Sequence, residues 1–111
     1  MPLALSTSWN SFRYSNAAEM IREIRTLGFR QVELNFSLTP AMLKSIILCV
    51  RKGTIRVSSV HNYCPIPPGF SLKQALPDCC SMSSVDENER KAAVKYTKKS
   101  IDTASSLNAK A

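Results

Sequence analysis

No apolar run in the 111-residue chain approaches the roughly 20 residues that span a bilayer. The longest candidate, Ile46-Ile47-Leu48-Cys49-Val50, is closed off by Lys44 and Arg51, so no membrane partner is expected. The N-terminal Met1-Pro2-Leu3-Ala4-Leu5-Ser6 has neither a basic start nor a long apolar stretch. No secretory signal is therefore expected, and the expected location is the cytoplasm. The cysteines Cys49, Cys64, Cys79 and Cys80 contain no C-x-x-C pair. Without a secretion signal, reduced thiols are expected rather than a disulfide or a zinc site. Blocks of like charge are also missing. The 15 Lys and Arg outnumber the 8 Asp and Glu, for a net charge of +7, but the basic doublets Arg51-Lys52, Arg90-Lys91 and Lys98-Lys99 are scattered. Solvated helix faces account for this excess better than a nucleic-acid stripe does. No internal repeat or low-complexity tract is present.

What is present suits one folded domain: 44% hydrophobic and 21% charged residues. Leu3 to Trp9 reads as a short strand. Asn16 caps a helix, with Glu19 as its capping-box partner and Met20, Ile21, Ile24 and Leu27 on one stripe; Gly28 stops it. Gln31 to Phe36 alternates as a strand. Thr39-Pro40 opens a second helix that buries Leu43, Ile46, Ile47 and Val50 and ends at Gly53. Ile55 to His61 is a third strand. Residues 62–83 form a long loop with Pro65, Pro67, Pro68, Gly69 and Pro77. Ser84-Val85-Asp86-Glu87 is a capping box for a long helix to about Leu107, with Ala93, Thr97, Ile101, Ala104 and Leu107 on one face and Asn108 at its C′ position.

The order βα-βα-βα predicts parallel strands joined by right-handed crossovers. Such a sheet needs cover on both faces and has two unpaired edges. A fourth strand is due where Ala109-Lys110-Ala111 stands, so the chain reads as the N-terminal part of a longer protein.

Three stretches carry a resemblance: Leu27-Gly28-Phe29-Arg30-Gln31-Val32-Glu33-Leu34, then Ser59-Val60-His61-Asn62-Tyr63-Cys64-Pro65, then Ser84 to Val94 continuing through Ile101 to Ala111. In this order the chain resembles the N-terminal part of the xylose-isomerase-like TIM-barrel superfamily. That superfamily holds sugar phosphate isomerases and epimerases and endonuclease IV. The resemblance implies an α/β fold over residues 1–111: the first three βα units of a (β/α)8 TIM barrel, truncated before the fourth strand, with no second domain. A whole barrel takes about 250 residues. Asn108 departs from the family, which usually carries glycine there; Asn tolerates the left-handed conformation.

Barrel active sites gather at the C-terminal ends of the strands. His61, the single histidine, closes the third strand, where imidazole can act as acid or base or bind a metal. In the endonuclease-like members a histidine similar in position binds zinc. The plain alternative is a packed, hydrogen-bonded ring. Val32 and Leu34 should face the helices, which turns Glu33 and Asn35 into the barrel. There Glu33 would meet substrate or a structural cation, because unpaired burial of a carboxylate is costly. Trp9 and Tyr63 would wall a sugar ring or simply pack; Asn62 lies beside them as a substrate-binding candidate. Ser6 and Ser8 should face the interior. The 62–83 loop would cover substrate or serve structure alone. Cys79 and Cys80 lie in it, with no base nearby to make a catalytic thiolate.

The resemblance implies a metal-dependent sugar or sugar phosphate isomerase or epimerase, moving a proton next to a carbonyl with catalytic His61 and Glu33. The divalent metal (Mn, Mg, Co or Zn) would be held mainly by later strands, with His61 a further candidate ligand. Neither metal nor turnover is expected of residues 1–111 alone. The alternatives are a zinc-dependent abasic-site DNA repair enzyme, slightly favoured by the positive charge, and a non-catalytic binding module.

Overall fold

The computed structural model describes residues 3–67 and 82–111. Pro68, Gly69, Pro77, Cys79 and Cys80 of the long loop lie outside the described residues. The chain is mixed α/β. Three strands, β1 (Leu5–Ser6), β2 (Gln31–Leu34) and β3 (Arg56–Val60), form a parallel sheet in the order β1-β2-β3. The helices are α1 (Ala17–Thr26), α2 (Pro40–Arg51) and α3 (Glu87–Ser106).

β1 is shorter than the expected Leu3 to Trp9. The Ser6 hydroxyl accepts from the Ser8 N–H at 3.2 Å, and the Asn10 N–H donates to the Thr7 carbonyl. Short polar side chains thereby divert the backbone from the ladder into 3₁₀ turns at Thr7–Trp9 and Ser11–Arg13.

The helix starts follow their caps. Asn16 Oδ1 accepts from the Ala18 and Glu19 N–H groups, Thr39 Oγ1 from Met42, and Asp86 Oδ1 from Asn88. The cap of α3 is thus Asp86, while Ser84 Oγ accepts from the Asp86 N–H and donates to the Glu89 carboxylate. Gly28 at φ +95° and Asn108 at φ 57° take the left-handed conformation that ends a helix.

α1, α2 and the residue that caps α3 bury side chains in one cluster with one face of the sheet, while Ala93 of α3 packs separately with Tyr63. Met20, Ile21 and Ile24 of α1, Val32 and Leu34 of β2, Met42, Leu43 and Ile46 of α2, and Leu107 at the end of α3 meet there. Two apolar positions depart from the expected stripes. Leu27 is the C-cap of α1 and is 55% exposed, because the chain turns away at Gly28; Phe29 packs against the core instead. Ile101 is 62% exposed, since α3 turns Ala93, Ser100, Thr103 and Leu107 inward. Ser100 is drawn in by polar demand. Its hydroxyl accepts from the Cys64 N–H at 3.0 Å and donates to Asn62 Oδ1 at 2.7 Å.

β3 solves a patterning problem. Val57 and Val60 are three residues apart, so strict alternation would place them on opposite faces. The register pairs Val32 with Val57, then Glu33 with Ser59 and Leu34 with Val60. Ser58 is the extra residue of a bulge, and both valines reach the core side. The Ser58 hydroxyl donates to the Val32 carbonyl at 3.2 Å. Its own carbonyl accepts from the Lys110 N–H at 3.1 Å, and the Val60 N–H donates to the Ala111 carbonyl at 2.9 Å. The chain after α3 therefore returns to the outer edge of β3.

Ile24→Ala is expected to lower the unfolding free energy by about 3 kcal/mol in urea titration, by transfer and cavity terms together. Leu27→Ala, three residues on, should change it by less than about 0.5 kcal/mol.

Candidate functional site

The face of the sheet opposite the helices is polar. Ser6 and Ser59 flank Glu33 in register, and Ser59 Oγ donates to Glu33 Oε2 at 3.3 Å. Among the described residues no helix covers this face. Glu33 is half-buried with that hydroxyl beside it, and its other carboxylate oxygen is left to accept from a ligand.

Asn35, the other residue expected on this face, is already engaged. Its Oδ1 accepts from Thr7 Oγ1 at 2.7 Å, and its N–H donates to the same Thr7 oxygen at 3.0 Å. Its Nδ2 donates to Ser11 Oγ at 3.1 Å and to Ser37 Oγ. This buried network clamps the turn after β1 to the segment after β2. It makes Asn35 a positioning residue more than a substrate contact.

His61 stands exposed at the end of β3, its N–H donating to the Leu34 carbonyl at 2.8 Å. Nδ1 lies 2.8 Å from the Asn62 carbonyl, and Phe36 packs against the ring at 5.3 Å between centroids. A carbonyl oxygen can only accept, so Nδ1 carries the proton. That leaves Nε2 as the ring nitrogen open to a ligand.

Asn62 and Tyr63 turn toward α3. Asn62 Nδ2 donates to Thr97 Oγ1 at 3.0 Å and its Oδ1 accepts from Ser100. Tyr63 is buried with Ala93 against Ala92 and Tyr96. Both side chains are spent on seating α3, because the segment leaving β3 needs partners for its buried polar groups. Ser8 is exposed in the 3₁₀ turn rather than lining the sheet face.

Trp9 is 43% exposed, with the Arg13 guanidinium 5.1 Å from its ring centroid. Arg13 also forms a two-pronged pair with Glu23, at 2.9 and 3.1 Å. Asn10, fully buried, donates from Nδ2 to Glu23 Oε1 and to the Met20 carbonyl. The Asn10 amide and then the Arg13 guanidinium hold the Glu23 carboxyl below its ordinary 4.5, against partial burial that pushes it up. Burial, with Glu23 beside it, raises the Tyr14 hydroxyl.

No family model, curated protein or solved structure matches the chain. The site therefore rests on its own geometry. Among the described residues, no three His, Cys, Asp or Glu side chains come together as a metal would need. No described helix is long and apolar enough to cross a membrane. Sequence reasoning missed the Thr7-Ser11-Ser37 clamp around Asn35 and the Asn10-Arg13-Glu23 cluster. Neither has a sequence signal, since their members lie up to 28 residues apart.

Because the Glu23 carboxyl is depressed in the fold, its contribution to stability is present above pH 4.5 and is lost as pH falls through the folded value. Glu23→Gln should lower the melting temperature at about pH 6, and the gap to the parent chain should close by about pH 2, read by circular dichroism.

Proposed function

We propose that this chain forms the first three βα units of a (β/α)8 barrel, whose strand ends carry sugar or sugar phosphate isomerisation or epimerisation. One observation carries the reading: α1, α2 and the end of α3 pack on a single face of a sequentially ordered parallel sheet, and Glu33 lies on the other, with His61 at the strand end. A doubly wound sheet reverses its strand order and places helices on both faces; a barrel winds in one direction with helices outside. The hydrogen bonds that the Lys110 N–H gives to Ser58 and the Ala111 carbonyl accepts from Val60, at the edge of β3, support the same winding.

In this reading the uncovered face is the barrel interior. Glu33 accepts from substrate hydroxyls, held in place by Ser59. His61, with Nδ1 tied to the Asn62 carbonyl, takes or returns the proton on the carbon next to the carbonyl through Nε2. Trp9 offers an apolar wall at the rim. A divalent metal would polarise the sugar oxygens when bound. The described residues do not supply a donor set for it, and Nε2 of His61 serves the proton in this reading, so its ligands would come from further strands. This chain's part is binding and proton transfer.

A second reading, abasic-site DNA cleavage on the same fold, is favoured by the net charge of +7. The two are separated by incubating the product of the whole reading frame with sugar phosphates in D₂O and with an abasic-site duplex.

The expected result is solvent deuterium at the carbon next to the carbonyl, read by NMR, with the duplex intact. His61→Ala should cut kcat at least about a hundredfold, while Glu33→Gln raises KM. Residues 1–111 alone should show no exchange. Duplex cleavage without deuterium incorporation would replace the first reading by the second.

A further inference from the structure

We infer that the groove between α1 and α2, on the side of the protein away from Glu33, docks an acidic peptide segment with apolar side chains between its carboxylates. The groove has a volume of about 400 Å³ and is lined by Arg22 and Arg25 of α1 and by Lys52 and Thr54 after α2. Ala18 and Cys49 contribute apolar wall. Arg22, Arg25 and Lys52 are exposed, and among the described residues none has an acidic partner. Arg13 pairs with Glu23 and Lys91 with Glu87, both away from the groove.

A cation at a helix C-terminus is ordinary, since it complements the macrodipole within the last turn. That explains Arg25 in the last turn of α1 and Lys52 at the cap of α2. It does not explain Arg22, a full turn before the end of α1. Nor does it explain why all three line one depression that no carboxylate shares. Like charges brought together repel, and an acidic ligand removes the repulsion while supplying the missing partners.

The lining also selects between anionic partners. Nucleic acid bound on a basic groove is normally held by aromatic side chains that stack its bases, and no aromatic ring lines this one. A groove between two helices with an apolar wall and a cationic rim accepts alternate side chains of a peptide. Charge complementarity and wall chemistry together favour the acidic, partly apolar peptide.

Cys49 provides a reporter inside the groove. It is a partly buried free thiol, whereas Cys64 is fully buried with its thiol pushed up to about 12 by burial and will not compete for a thiol reagent. The test uses the 111-residue chain and a fluorescein-labelled peptide of alternating Glu and Leu. Anisotropy measures affinity, and iodoacetamide labelling of each cysteine is followed by peptide mass mapping. Bound peptide should slow Cys49 alkylation. The triple variant Arg22→Gln, Arg25→Gln, Lys52→Gln should weaken binding by about tenfold or more, three modest ion pairs being lost together. A control with the same charge loss on α3, Lys95→Gln, Lys98→Gln, Lys99→Gln, should stay within about twofold of the parent. Both variants are surface changes whose folding is checked by circular dichroism. Equal weakening in both variants would reduce the effect to net charge and overturn the proposal. So would binding that leaves Cys49 alkylation unchanged. Single-stranded DNA of equal charge that protects Cys49 as well as the peptide does would overturn the choice of partner.

Discussion

A parallel strand can be rejoined only by a crossover, and here each crossover is a helix that lands on the same face of the sheet. The rest of the structure follows from that placement. Val32 and Leu34 of β2 are fully buried because the face they occupy receives α1, α2 and the end of α3. Glu33, between them, is turned to the other side with serines as neighbours. Apolar burial and the polar candidate site are thus two sides of one strand, separated by the pleat.

At the strand ends the side chains divide by whether their hydrogen bonds are already made. Asn35, Asn62 and Tyr63 hold turns and α3 in place. Glu33 and His61 each have one anchoring contact and keep an unused acceptor. Such partial engagement suits a group that must keep its orientation yet exchange partners with a ligand. The contrast is chemical: an amide buried in a loop must satisfy both its donor and its acceptor, while a carboxylate or imidazole at an open edge has capacity left over.

Much of this architecture was legible in the residues. Asn16, Thr39, Gly28 and Asn108 marked helix ends through local chemistry that acts within four residues, and the alternation of Val32 and Leu34 marked the core face. What escaped was set by distant partners. Ile101 suited an apolar stripe, yet α3 turned Ser100 inward to serve the Cys64 N–H and Asn62. Leu3 to Trp9 suited a strand, but the Ser6 hydroxyl, accepting from the Ser8 N–H, bent it into turns. At the site, strand alternation oriented Glu33, whereas the full use of Asn35 depended on Thr7, Ser11 and Ser37 from other segments.

The bulge at Ser58 has a geometric meaning beyond the two valines it brings to one side. A strand that is one residue longer than its neighbour must bend, and a bulge tightens the local twist. The curvature of this sheet is therefore encoded in length as well as in side-chain identity. Loss of a single serine codon could flatten β3 while keeping every core residue. A small heritable change in chain length can reshape the polar face without rewriting what lies beneath it.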